Sequence, residues 1–263
     1  MESILRCPVC SQPLYCEGRI QKCENGHCFD VAKEGYVNLL RTNKKGDSIG
    51  DDKYSARCRR DFLNKGYYSI LAQRLSQLLA DQTGSLLDIC CGEGYYTSFV
   101  AEHTGLDAYG FDISREMVRL AAKRGVGKYF VANMASIPVR DASFDCAMHL
   151  FAPFLEPEFA RVLKPGGILL RVTPGSRHLF GLKEVLYDTP YLNVEALPPT
   201  ATLQCIGAEK ISGKILLKTQ EDIEAVFRMT PYYFHTSQSD REKLSKLSEL
   251  ETEVEFIITK YQK

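Results

Sequence analysis

Two stretches of this chain hold residue types at spacings that suit chemistry. The first is "CPVC…KCENGHCFD", with two residues between Cys7 and Cys10, three between Cys23 and His27, and twelve between the pairs. Two thiolates so spaced in a turn can face one tetrahedral ion, and a Cys/His pair about 12–20 residues on completes the shell. Pro8 and the glycine before His27 suit two tight knuckles. Cys28 competes with His27 for the fourth place. His27 is preferred, because the residue running into Phe29 serves a ligand pair less well. Four protein ligands make a closed, structural site. Some forty residues bury too little core to fold alone, and a zinc ion makes up the deficit. Cys16 reads as a bystander.

The second stretch is "LLDICCGEGYYT", Leu86 to Thr97. It has the form of a strand, a glycine loop and a helix. Gly92 and Gly94 let the backbone come close to a ligand and turn where a side chain would block it. Asp88 ends the strand, and Asp112, 24 residues on, ends the next. A carboxylate there can accept both hydroxyl hydrogens of an adenosine ribose. Glycine spacing alone does not separate a dinucleotide from S-adenosylmethionine (AdoMet). An acidic residue ahead of the loop, and no third glycine to hold a pyrophosphate, favour AdoMet. Cys90 stands where the D-x-G-x-G-x-G pattern has a glycine, and its tolerance there requires a negative φ. Cys90 and Cys91 read as small filler and not as nucleophiles.

The elements that must position these residues alternate. "SLLDIC", "DAYGFDIS", "KYFVANM", "FDCAMHLF" and "ILLRVTP" read as strands, separated by the helices "YYTSFVAEH", "REMVRLAAKR" and "PEFARVL". This predicts an α/β protein, a Rossmann-like parallel sheet that binds its ligand beyond the carboxyl ends of the strands. "DIEAVFRM" and "REKLSKLSELE" read as helices. "KISGKILLK" and "TEVEFIITKYQ" read as strands, the last an antiparallel edge. Residues between "TPGSRHL" and "LPPTATL" read as irregular and able to cap a site. Ahead of the sheet, a Gly/Asp/Lys-rich loop leads into a helix with Lys53, Arg57, Arg59, Arg60 and Lys65. That charge is either a solvated face or a phosphate grip.

Composition narrows the classes. Among 263 residues, Lys+Arg and Asp+Glu each total 33, so no global field points to nucleic acid. Residues 1–65 still carry twelve Lys/Arg against nine Asp/Glu, a local excess that can meet phosphate. No apolar run reaches the ~18 residues of a membrane helix. "MESILRCPVC" has no signal-peptide pattern. Ten cysteines are then expected as thiols in a reducing cytoplasm, and five of them crowd into residues 7–28.

"LKPGGILLRV" after the fourth strand completes a resemblance to the class I AdoMet-dependent methyltransferases over roughly residues 68–175. The whole chain is similar to a narrower family. "CPVCSQPL", "AKEGYVNLL", "DICCGEGYYT", "LKPGGILLRVTPGSRHL" and "MTPYYF" resemble, in order and spacing, the bacterial 23S rRNA guanine-N1 methyltransferases acting on the loop of hairpin 35. That resemblance implies zinc ligands at Cys7, Cys10, Cys23 and His27. It implies AdoMet contacts at Tyr68, Gly92, Glu93 and His178, and the class pattern adds Asp88, Gly94, Asp112, Asn133 and Met134. Read without the resemblance, His178 is a surface-loop histidine. The family also implies a homodimer, a 23S rRNA hairpin as partner, and a bearing on macrolide-type resistance for one of two neighbouring guanines. The organisation expected is a zinc-binding, RNA-recognising module over 1–40, a linker and helix over 41–67, and the methyltransferase sheet domain over 68–263.

Guanine N1 carries a proton at neutral pH, so the chemistry needs a base and an extruded nucleotide. His149, His178 and Glu93 are the base candidates, and Glu93 also reads as a contact to the cofactor or a loop amide. Phe151 and Phe154 of "FAPF" either sandwich the guanine or pack in the core. Two other functions compete. A small-molecule methyltransferase would not need residues 1–40, and an RNA-binding resistance factor without catalysis would find its support in Cys90.

Overall fold

The computed structural model describes residues 3–41 and 53–263. The Gly/Asp/Lys-rich loop expected ahead of the basic helix lies almost wholly outside them. Strands β1 (Tyr15–Glu17), β2 (Ile20–Lys22) and β3 (Cys28–Asp30) form a small antiparallel sheet. Strand β4 (Val37–Asn38) leaves it and pairs in parallel with a strand of the main sheet, described next.

Helices α1 (Lys53–Asn64) and α2 (Ser69–Leu78) lead into the alternating core. It runs β5 (Ser85–Ile89), α3 (Tyr95–Thr104), β6 (Asp107–Asp112), α4 (Arg115–Ala122), β7 (Lys128–Val131), β8 (Phe144–Leu150), α5 (Glu156–Val162) and β9 (Leu163–Pro174). Then follow α6 (Phe180–Leu186), β10 (Gln204–Leu217), α7 (Gln220–Arg228), α8 (Tyr232–His235), α9 (Gln238–Ser245) and β11 (Leu250–Gln262). The large sheet has the order β10-β11-β9-β8-β5-β6-β7-β4. β10, β11 and β9 pair antiparallel, and the pairs from β9 to β4 are parallel.

Burial explains the central elements. Every residue of β5 is buried, as a strand covered on both faces must be, so it reads as a continuous apolar run broken only by Asp88. α4 opens on Ser114, whose hydroxyl accepts from the Met117 amide, and buries Met117, Val118, Leu120 and Ala121 on one face. One core layer gathers Leu71, Leu75, Val100, Leu170 and Phe256, and the other Leu87, Phe111, Phe144, Phe159 and Tyr261.

The structure departs from the sequence reading in three places. The segment expected to be irregular holds α6, where Gly181 lets the helix sit on β11: an added Cβ would meet the Glu251 carbonyl at 2.6 Å. The helix expected through "SELE" ends at Ser245, and Leu250 already begins β11. The boundaries expected at residues 40 and 67 are both crossed by contacts. β4 belongs to the main sheet, and Leu5 pairs with Val139 while the Arg6 amide donates to the Pro138 carbonyl. Past α1, Lys65 and Tyr67 both donate to Asp222 of α7, at 2.5 and 2.8 Å. Lys65, half exposed at the surface, is thus tied to a buried carboxylate, which occupies its charge.

Candidate functional site

The metal-ligating residues converge as expected. The ligand atoms of Cys7, Cys10, Cys23 and His27 all lie within 4.8 Å of one another, with Cys10 Sγ 3.7 Å from Cys23 Sγ and Cys23 Sγ 3.4 Å from His27 Nδ1. Zn–S bonds of about 2.3 Å and a Zn–N bond of about 2.0 Å give tetrahedral edges of roughly 3.8 and 3.6 Å. The donor set thus fits a zinc ion. The turns explain the approach: the Ser11 amide donates to the Cys7 carbonyl, and the Gly26 amide to the Cys23 carbonyl. The Gln12 amide at its sulfur draws the Cys10 thiol down to about 6, toward the thiolate a metal needs. Cys28 is exposed on β3 with its thiol on the Gly26 carbonyl, and Cys16 is exposed on β1, so neither competes.

Beyond the carboxyl ends of β5 and β6 lies the glycine loop. Gly94 has φ +79°, and an added Cβ would stand 2.7 Å from Ala121 Cβ, so the loop rests directly on α4. Asp112 is fixed by two amides, Gly92 N at 3.0 Å and Ser114 N at 2.8 Å, which aim its carboxylate across the loop. Asp88 is buried and accepts from Thr97 Oγ1 at 2.6 Å. Burial pushes its carboxyl up to about 7, with the charge of Asp112 adding to the shift against the Thr97 bond. Asn133 caps the 3-10 turn Met134–Ser136 through the Ala135 amide, and Met134 Sδ meets Cys90 Sγ at 3.8 Å.

Cys90 overturns one expectation. Its φ is +61°, in the left-handed region, so the loop keeps a glycine's backbone with a cysteine in it. Burial pushes its thiol up to about 12 and the Cys91 thiol well up, so neither is a nucleophile at neutral pH. Phe151 (φ +56°) after β8 and Leu179 (φ +56°) after β9 share this conformation. Three non-glycine residues in left-handed backbone thus stand just beyond the carboxyl ends of β5, β8 and β9, where strained backbone tends to mark a site.

Glu93 is not available as a base. Its carboxylate is buried and paired with Arg124 at 2.5 Å, bracing the loop against the turn after α4. His178 is committed as well. The Glu255 amide donates to Nδ1 at 3.2 Å, so the proton sits on Nε2, which donates to Tyr68 Oη at 3.2 Å. Burial lowers this imidazole to about 4, so it is neutral at pH 7. Tyr68 Oη, accepting from His178, directs its own proton elsewhere. Phe256 completes the group, 4.9 Å from the His178 ring and 5.1 Å from that of Tyr68, and the exposed Phe151 stacks on His178 at 6.4 Å. Phe154 faces the opposite way, stacked on Tyr261 at 5.8 Å and near His149 at 6.3 Å. His149 is wholly buried and held to about 4 by burial and the Arg171 charge, and neither ring nitrogen has a hydrogen-bond partner.

Several contributors carry no sequence signal. Phe256 reads as one more apolar position in an edge strand. Asn193 sits in the irregular stretch, where it donates to the Gly175 and His178 carbonyls at 2.9 and 3.4 Å. It is itself held by the buried Lys183, whose Nζ donates to Asn193 Oδ1 at 2.7 Å. Thr97 could have been found, since it lies on the inner face of a helix that starts at the glycine loop.

Comparison with known proteins agrees with this geometry. Residues 5–47 match a family model described as "RlmA, N-terminal", a zinc ribbon, and residues 87–171 match one described as "Methyltransferase domain". The chain is 39% identical over 261 residues to a 23S rRNA (guanine(748)-N(1))-methyltransferase of Streptomyces fradiae, covering 94% of this chain and 90% of that one. It is 28% identical to YxjB of Bacillus subtilis (strain 168), provisionally named for guanine-N1 methylation of 23S rRNA, over 95% of this chain and 93% of that one. A demethylmenaquinone methyltransferase of Geobacillus stearothermophilus is 31% identical, over 38% of this chain and 50% of that one.

Proposed function

The chain belongs to the 23S rRNA (guanine-N1)-methyltransferase family, and from that premise we propose that it methylates N1 of guanine 748 in the hairpin 35 loop. It is an AdoMet-dependent enzyme with a structural zinc module. The observation that carries the reading is the joint match of zinc ribbon and methyltransferase sheet along 94% of the chain. The menaquinone-type relatives match 38–70% of the chain at 25–31% identity, and so account for less of it than the rRNA enzyme does.

AdoMet supplies an electrophilic methyl group on a sulfonium. The chain's own residues bind it, orient the guanine and take up a proton. In this reading Asp112 accepts from the ribose hydroxyls and Asn133 and Met134 border the adenine. The loop Gly92–Gly94 would pass close to the cofactor, with Asp88 toward its positive end. Tyr68, aimed by His178, donates to the methionine carboxylate. Bound AdoMet would supply the methyl carbon to guanine N1, the electron pair of the broken carbon–sulfur bond staying on sulfur. The N1 proton passes to a base. Of the candidates, His149 is the neutral imidazole with an unpartnered nitrogen, and we assign it that role. Phe151 or Phe154 offers a ring to the extruded base.

The same reading places the chain in the cytoplasm, where ribosomal RNA is modified. It also includes a homodimer, supported by the exposed Tyr191, Leu192, Val194 and Leu197. The test is reverse transcription across hairpin 35 of unmodified 23S rRNA after incubation with protein and AdoMet. An AdoMet-dependent stop one nucleotide before guanine 748 supports the assignment. A stop before a different guanine changes the position, and AdoMet binding without any stop overturns the activity.

A further inference from the structure

The largest gathering of unmet hydrogen-bonding groups among the described residues lies beneath "FAPF". Arg171 Nε and Nη1, His149 Nδ1 and Nε2, and Tyr261 Oη are all buried and make no hydrogen bond of good geometry, with Tyr261 Oη turned to Arg171 and the His149 ring to the Pro153 backbone. Arg171 on β9 is in register with His149 on β8 and Thr259 on β11, so the guanidinium and the imidazole are neighbours. Among the described residues no carboxylate is paired with Arg171, and its guanidinium carbon lies 5.3 Å from the centre of the Phe154 ring. Glu156, the acid at the start of α5, is occupied by the amides of Ala201, Thr202 and Leu203 at 2.6–2.9 Å.

Each buried polar group without a partner weighs against the folded state, and five together are retained only if something meets them. A guanidinium fork calls for two acceptors side by side in a plane. Among the bases, guanine offers that pair, O6 and N7 on one edge. The Phe154 ring already lies against the guanidinium as a stacking surface.

We propose that Arg171 is the residue that recognises the target guanine, donating from its fork to O6 and N7 with His149 beside it. This deepens the function proposed above and rests on it. Adenine would present an amino donor to the fork where guanine presents O6, leaving two donors opposed, and is rejected. As N1 loses its proton to His149, negative charge moves onto O6, where the guanidinium already stands. Arg171 thus contributes to selecting the base and to easing its deprotonation.

The test is a coupling experiment on hairpin 35 RNA carrying guanosine or 7-deazaguanosine at the target. Wild-type protein and Arg171→Gln are compared, with AdoMet binding as the check on folding. Transfer to guanosine by the wild type establishes the underlying activity, and its absence sinks the function and not only this inference. Given activity, 7-deazaguanosine should lower wild-type kcat/KM by about 5- to 150-fold. Arg171→Gln should start lower and show little further loss with the analogue. Equal sensitivity of both proteins overturns the proposal, as does a wild type indifferent to N7, because a merely structural arginine would scale both substrates alike. Should the Gln variant fail to fold, Arg171→Lys keeps the charge but loses the fork and must show the same loss of discrimination.

Discussion

Replacing Cys90 is the sharpest test of the loop geometry, because three substitutions there should rank by backbone and not by size. Its φ of +61° imposes roughly 1–2 kcal/mol on any residue with a Cβ. Cys90→Gly removes that strain. It also adds about 0.5–1 kcal/mol of unfolded-state entropy and forfeits about 1 kcal/mol of burial beside Met134. These contributions nearly cancel, so the glycine variant should melt within about 2–4 °C of the parent. Cys90→Ala keeps the strain and loses the thiol, and should fall slightly below. Cys90→Val forces a β-branched side chain into left-handed backbone and crowds Met134, whose sulfur is 3.8 Å from Sγ. A loss of about 2–4 kcal/mol follows, roughly 5–15 °C. Thermal denaturation with and without AdoMet gives the ranking, and calorimetry gives the affinity, which should change little in the glycine variant. Valine tolerated as well as glycine would refute the left-handed loop. A large gain in transfer rate for Cys90→Gly would instead mean that the cysteine suppresses catalysis.

Other outcomes follow from the same geometry. AdoMet should bind more tightly as pH rises, about tenfold from pH 6 to 8, since its positive end favours an ionised Asp88 whose carboxyl titrates at about 7; a pH-independent affinity would remove Asp88 from the site. For stability the sign is opposite. The folded state holds this proton to higher pH than the unfolded chain, so the contribution present below about pH 4 is lost as pH rises through 7, which urea titrations can follow. Tyr68→Phe should weaken AdoMet by roughly 5- to 10-fold, the value of one hydrogen bond, and cost about 1–3 kcal/mol of stability without cofactor, because it leaves the buried His178 Nε2–H unmet. Cys23→Ser should release zinc to a chromophoric chelator and abolish transfer to RNA, while AdoMet affinity stays within about threefold. Lys183→Met should leave the Tyr191 carbonyl unmet and Asn193 Oδ1 with Tyr232 Oη alone, and cost about 1–3 kcal/mol, read as faster proteolysis within residues 187–203.

The parallel core was legible because local pattern and long-range partner agree there: "SLLDI", "FDCAMHL" and "ILLRV" are buried on both faces and look it. The four zinc ligands were legible because chelation needs them near in sequence. What escaped depends on partners far along the chain. Asn193 and Lys183 act through the turn after β9, Phe256 through an antiparallel crossing, and Glu93 through Arg124. Glu93 looked like chemistry because it sits between two glycines, yet its charge is spent on holding α4. Cys90 showed the limit of residue statistics, since the loop's path is set by Asp112, Ala121 and the neighbouring strands, and a small thiol follows it under strain.

The pairing of β4 with β7 gives the zinc module a mechanical meaning. A ribbon on a slack tether would only raise the concentration of RNA near the cofactor. This one is fastened twice, by β4 at the sheet's edge and by Leu5 against Val139, so it cannot slide or swing relative to the strand that leads to Asn133. The span from ribbon to glycine loop is thereby a caliper of set opening. Under the function proposed above, a hairpin resting on one jaw would present to the other only the nucleotide at the matching distance, so which guanine is reached would be a question of length as well as of chemistry.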